Sequence, residues 1–191
     1  MIRYLLVSIL VLLVGCSTNG IEITEINNQI NTPKYSITVP QNRGWKTQKN
    51  TDNPDVSYME KIIDSNGYIM RFSTSWVKDE RMKSWSSKQV ADLYREGEKN
   101  NMLMMGSGLY QLKDVKMGKK KVGDKQFFTM DYTTVTSEVE QRASLYLYFP
   151  KKTNIGTFFV SLYSEGFPRN KPPYKSFKNE FLETLNSLEM K

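Results

Sequence analysis

From Pro33 to Tyr163 the chain is a succession of short runs in which apolar and polar residues take turns, the period of a half-buried strand. Tyr35-Ser36-Ile37-Thr38-Val39 alternates and stops at Pro40, which cannot continue a ladder. Residues 45–48 follow as its expected hairpin partner. Residues 56–63 and 68–76 flank Asp64-Ser65-Asn66-Gly67, a turn-forming sequence between two β-rich runs. Four more strands are expected at 109–117, 125–135, 142–149 and 157–163. Residues 118–124 would join the first two as a basic loop.

Two stretches change to the helical period. Ser86 or Ser87 is placed to cap a helix running to about residue 101, with Val90, Leu93, Tyr94 and Gly97 along one face. After Pro172 and Pro173, Tyr174, Phe177, Phe181, Leu185 and Leu188 recur at spacings of three and four. That stripe is suited to a sheet face, with Lys175, Lys178, Glu180 and Glu183 expected in water. An antiparallel sheet of about seven or eight strands with one mid-chain and one C-terminal helix, and no βαβ alternation, is an α+β fold.

The N-terminus has a different character. Met1-Ile2-Arg3 precedes an eleven-residue apolar stretch, Tyr4 to Val14, too short for the roughly 20 residues of a spanning helix. It has the proportions of a secretory signal. It ends in Leu13-Val14-Gly15-Cys16, which resembles the lipobox of bacterial lipoprotein precursors. The resemblance implies a signal peptide over 1–15, cleavage before Cys16, and lipidation of that thiol with palmitate-like chains. One acyl chain gives marginal membrane binding and two give a lasting anchor. Residues 16–32, rich in Asn and Thr, are expected to form a flexible tether, with an edge strand through Ile21, Ile23 and Ile26 as the alternative. One globular domain then covers 33–191. Ser17, in place of the Asp that resembles an inner-membrane retention signal, implies the periplasmic face of the outer membrane if the organism is Gram-negative.

The domain also resembles a family. Tyr35, Ile37, Val39 and Pro40 in a Y-x-I-x-V-P opening, Trp45 soon after, the mid-chain helix, the paired strands and the F-x3-F-x3-L-x2-L ending are similar to the PsbP-like and DcrB-like proteins over 33–191. The resemblance implies binding or assembly roles and brings no catalytic residues.

Several chemistries are closed to the chain. It has no histidine, which removes Ser-His-Asp and Cys-His catalysis and histidine-ligated metal sites. Cys16 is the one cysteine, so no disulfide can form within the fold. Ser75-Trp76-Val77-Lys78 fits S-x-x-K but lies at a strand end, with neither S-D-N nor K-T-G elsewhere. Gly118 to Lys125 (GKKKVGDK) echoes a phosphate loop, yet Asp124 stands where its lysine belongs and a strand follows. Met102, Met104 and Met105 are soft donors suited to Cu(I), and more simply adaptable core filler. No cofactor or metal is expected.

What remains is charge. The formal net charge is +7. Lys113, Lys116, Lys119, Lys120, Lys121 and Lys125 share one hairpin, and Lys151 and Lys152 share another turn. Together they are candidates for contact with an anionic surface, whether phospholipid, glycan or acidic protein. Nucleic acid is not an expected partner, because Tyr146, Tyr148, Phe158, Phe159 and Tyr163 read as sheet core and not as stacking platforms. The expected function is a non-enzymatic binding or assembly module of the cell envelope. The alternatives are an envelope hydrolase using a carboxylate pair drawn from Asp131, Glu138 and Glu140, or an immunity-type lipoprotein that neutralises an incoming toxin.

Overall fold

Alternating runs do pair into an antiparallel sheet, but in an order the chain does not follow. The computed structural model describes residues 21–24, 29–40, 44–50, 56–62, 68–105, 111–150, 156–174 and 177–191. Cys16, Lys151, Lys152 and the 64–67 turn lie outside the described residues. In chain order the strands are β1 Ile21–Thr24, β2 Gln29–Asn31, β3 Tyr35–Thr38, β4 Lys46–Asn50, β5 Val56–Ile62 and β6 Ile69–Lys78. They continue with β7 Gln111–Val122, β8 Lys125–Val135, β9 Val139–Tyr148, β10 Thr157–Pro168 and β11 Glu189–Met190. The helices are α1, Ser87–Met105, and α2, Phe177–Asn186. Among the described residues an eight-stranded sheet runs β1-β4-β5-β6-β10-β9-β8-β7, and a three-stranded sheet runs β11-β3-β2. The α+β expectation is met.

Three local expectations need correction. Residues 45–48 do not pair with 35–39; β4 lies between β1 and β5, while β3 lies between β2 and β11. β3 instead belongs to a second layer. The Tyr35 hydroxyl shares a 2.8 Å hydrogen bond with Thr74 of β6, and its ring stands edge-on to Phe159 at 5.1 Å. Burying Tyr35, Ile37 and Val39 against the large sheet stabilises the domain by roughly 1.5–3 kcal/mol for each aliphatic side chain. Next, part of the expected tether is paired, as the edge-strand alternative had it for Ile21 and Ile23: β1 adds to β4 at the sheet edge and β2 adds to β3, through backbone hydrogen bonds that need no particular side chain. Finally, the expected loop 118–124 is mostly strand. β7 runs to Val122, and the turn is only Gly123-Asp124, with Gly123 at φ 58° as the Gly-first pattern of a tight hairpin requires.

Strand alternation divides the core between the two faces of the large sheet. Met70, Phe72, Phe127, Tyr146, Phe159 and Tyr163 meet Phe177, Phe181 and Leu185 of α2. Met130, Leu145, Leu147, Phe158 and Val160 meet Val90, Ala91 and Tyr94 of α1. The aromatics expected in the core are there, with Tyr146, Tyr148, Phe159 and Tyr163 on the α2 side and Phe158 on the α1 side. Phe181 is the hub of the first cluster, with ring centroids 5.1 Å from Phe72, 5.0 Å from Tyr146 and 5.1 Å from Tyr163.

Both helices have identifiable starts or seats. Ser86 Oγ accepts from the Gln89 N–H at 3.3 Å, and Gln89 Oε1 accepts from the Ser86 N–H at 2.9 Å, a reciprocal capping box. α2 seats its Phe177-Phe181-Leu185 stripe as expected. Glu180, however, is 5% exposed, not in water, and its Oε2 accepts from Trp45 Nε1 at 2.7 Å. Its place three residues after Phe177 carries it onto the buried flank. Among the described residues no helix is long and apolar enough to cross a membrane.

Candidate functional site

β7 is the outermost strand of its side of the large sheet, and it carries Lys113, Lys116, Lys119, Lys120 and Lys121. Side chains on a strand alternate, so these lysines divide between two faces. Lys116 pairs with Asp131 and Lys120 with Phe127, which places both on the α2 side. Lys119 pairs with Phe128 and Lys121 with Gln126, on the α1 side. Lys119 Nζ stands 4.9 Å from the Phe128 ring centroid. Lys113 lies beyond an irregularity in the ladder, where Asp114 adopts φ 55°. Lys125 is half-buried and bonded to Asp124 at 2.9 Å. The hairpin lysines therefore form a basic edge, not a one-sided patch. Such an edge also keeps a second copy from pairing there.

The described residues place another cation beside that edge. Lys178, in the first turn of α2, has its Nζ 3.7 Å from Asp131 Oδ1. Asp131 also accepts from Ser144 Oγ. Lys120 is half-buried; that burial and the nearby Lys178 charge push its pKa down, while Asp131 pulls it up. On this face β7 contributes Lys116 and Lys120, β8 contributes Lys125, and the distant C-terminal helix adds Lys178.

The three carboxylates weighed for hydrolysis do not come together. Asp131 pairs with Ser144 and Glu140 with Val135 on the same ladder, four positions apart, or roughly 13 Å at strand spacing. That exceeds the roughly 5–9.5 Å between the carboxyls of glycoside hydrolases. Glu138 is exposed in the turn before β9, and Glu140 lies 3.7 Å from Arg142 Nε. Ser75 and Lys78 are three apart on β6 and so point to opposite faces, and Lys78 bonds Glu80 at 2.7 Å. Met102 packs against the α1-side core. Among the described residues no cluster of three or more acidic, Cys or His side chains could hold a metal ion.

Among the described residues, two carboxylates that sequence reasoning passed over are the ones whose pKa is raised. Glu98 on α1 is 2% exposed; its Oε1 accepts from the Tyr132 hydroxyl at 2.6 Å, and its Oε2 has no partner among the described residues. Burial pushes its pKa up, against the lowering effect of the Tyr132 bond. Glu165 on β10 is 5% exposed, and accepts from the Tyr174 N–H at 2.8 Å and the Tyr163 hydroxyl at 3.2 Å. Burial raises its pKa as well, with both bonds and Arg142 opposing. Glu98 faces α1 and Glu165 faces α2, so the sheet separates them. Both were within reach of periodicity: Glu98 stands four residues after Tyr94 on the buried stripe of α1, and Glu165 two after Tyr163 on the same strand face.

Arg95 ties α1 to the basic edge from the other side. Its Nη1 donates to the carbonyls of Gly118 at 3.4 Å and Thr129 at 3.3 Å, and Asp92 holds its Nη2.

Comparison with known proteins speaks to fold. No protein-family model matches the chain, and no curated protein is similar to it in sequence. LpqN of Mycobacterium tuberculosis, a protein involved in cell envelope biogenesis, is similar in structure with a TM-score of 0.51 at 10% identity, over 90% of this chain and 92% of LpqN. Cyanobacterial PsbP (CyanoP) from Synechocystis matches with a TM-score of 0.49 at 12% identity, over 93% of this chain and 96% of its own. A Bacteroides thetaiotaomicron protein matches with a TM-score of 0.48 at 11% identity over 82% of this chain. The chain spans only 45% of that last protein's length.

Proposed function

We propose that the protein is a non-enzymatic, extracytoplasmic module, anchored to the membrane by lipid on Cys16, that binds or assembles an envelope component through its basic edge. The observation that carries this reading is β7. Lys113, Lys116, Lys119, Lys120 and Lys121 form no ion pair among the described residues, although Lys78, Lys83, Lys88 and Lys178 each have a carboxylate within 4 Å. Unneutralised charge on an open edge attracts an anionic partner and sets the rate and selectivity of encounter. Asp131 and Glu140, roughly 13 Å apart along the ladder, give no support to hydrolysis. The role of LpqN in envelope biogenesis accords with an envelope role here.

Crosslinking in the native envelope tests the reading. Wild-type chain with a photocrosslinker at Met117 should capture a discrete partner. The chain with Lys113, Lys116, Lys119, Lys120 and Lys121 all changed to Glu should lose it. An unchanged crosslink in that variant refutes the basic edge as the binding surface.

A further inference from the structure

α2 lies along the outer strands, from Asp131 at its first turn to the Gly123 turn at its end. A Cβ built on Gly123 would stand only 2.2 Å from Asn186 Oδ1, so the helix end and the hairpin tip are in direct contact. This course brings Lys178 to within 3.7 Å of Asp131, directly across the ladder from Lys116. Lys120 is four residues further along the same face of β7. Among the described residues Lys116, Lys120 and Lys178, from two separate elements, thus border the α2 side of the edge strand beside Asp131, while Lys125 of β8 is engaged by Asp124.

We propose that Lys116, Lys120 and Lys178, arranged around Asp131, form a binding site for a phosphate group. This deepens the basic-edge reading and rests on it. Lysine meets phosphate as a point charge; Lys116 and Lys120 are rooted roughly 13 Å apart on β7, and their long side chains would have to turn toward Lys178 to engage one anion together. Asp131 offsets only part of their charge and is already engaged by Ser144. The state of Lys120 agrees: its ammonium is held in a half-buried position beside a like charge, a cost that a bound anion relieves. The α1 side of the same strand is organised differently, with Lys119 over the Phe128 ring and Arg95 bonded to main-chain carbonyls. A soluble phosphate ester and a phospholipid headgroup present the same chemistry.

The test uses the full chain in maltoside micelles, titrated with inorganic phosphate and followed by NMR of the lysine side chains. Phosphate should shift Lys116, Lys120 and Lys178 saturably. Lys120→Gln and Lys178→Gln should each remove most of the response, and Lys88→Gln, on α1, should leave it unchanged. Asp131→Asn, which deletes the opposing charge, should tighten binding about fivefold or more. In phosphatidylglycerol nanodiscs without added phosphate, the same shifts identify the lipid headgroup as the source; their absence there, with a response in micelles, identifies a soluble phosphate. Equal responses on both faces of β7, or no gain in Asp131→Asn, overturn the site and leave the basic edge standing. No phosphate or headgroup response, with the envelope crosslink still dependent on the lysines, does the same. If the crosslink is also independent of the lysines, both proposals fall.

Discussion

Tyr132→Phe is the most informative single change. It deletes one oxygen, the donor of the 2.6 Å bond to Glu98 Oε1. Because Oε2 has no partner among the described residues, the variant leaves both carboxyl oxygens of a 2% exposed residue unsatisfied. A hydrogen bond to a charged group contributes about 1.5–3 kcal/mol, and one to a neutral group about 1 kcal/mol. The cost therefore depends on whether Glu98 is ionised. Burial raises the Glu98 pKa in the folded state above its ordinary 4.5. A raised folded pKa means that the folded chain holds the proton more tightly; the resulting stability is fully present below 4.5 and is lost as pH rises through the folded value. Tyr132 itself stays neutral, since burial and the Glu98 charge push its pKa well up. Urea denaturation monitored by tryptophan fluorescence should thus show Tyr132→Phe costing about 1 kcal/mol near pH 4.5 and about 1.5–3 kcal/mol in the alkaline range, with an unchanged m-value. At the alkaline end the Tm falls by roughly 3–12 °C for a domain of this size. In a Glu98→Gln background the cost should be flat with pH. A penalty that is the same at both ends in the wild-type background refutes the assignment of a buried, ionising Glu98.

Other changes test other parts of the structure. Phe181→Ala removes the ring that meets Phe72, Tyr146 and Tyr163, and should cost about 3–5 kcal/mol by thermal or chemical denaturation; a loss below 1 kcal/mol would mean α2 is not seated as described. Gly123→Ala forces a side chain into φ 58° and against Asn186, and should destabilise by about 1–2 kcal/mol or more, with Asn186→Ala recovering part of the loss. Cys16→Ser should abolish labelling of the chain by a fatty-acid analogue and leave uncleaved precursor; normal labelling would refute the anchor.

Elements with a strong local signal were legible in the sequence. The serine cap of α1, the F-x3-F-x3-L stripe of α2 and the alternation of β8, β9 and β10 all rest on contacts within a few residues or on one repeated spacing. The tether was misread in part because β1 and β2 are held by backbone pairing, which leaves little imprint on side-chain pattern. Glu98, Glu165 and Glu180 were missed for a different reason. Their spacing placed Glu98 and Glu165 on buried faces, but a charged residue on an apolar stripe reads as a flank until its partner across the interface is known.

Composition settled some matters before any fold was known. Without histidine, and with Cys16 as its one cysteine, the chain lacks the side chains for Ser-His-Asp catalysis, histidine-ligated metal sites and an internal disulfide. Its period of two, broken twice by a period of 3.6, required a sheet with two covering helices, because those periods are properties of the backbone itself. Tertiary structure decided which strands are neighbours, that β3 belongs to a second layer, and that β7 is left open with its lysines divided between two faces. It also brought Lys178 to Asp131, 47 positions away in sequence. Strand order and long-range charge placement depend on how whole surfaces pack, and packing couples residues that share no local pattern.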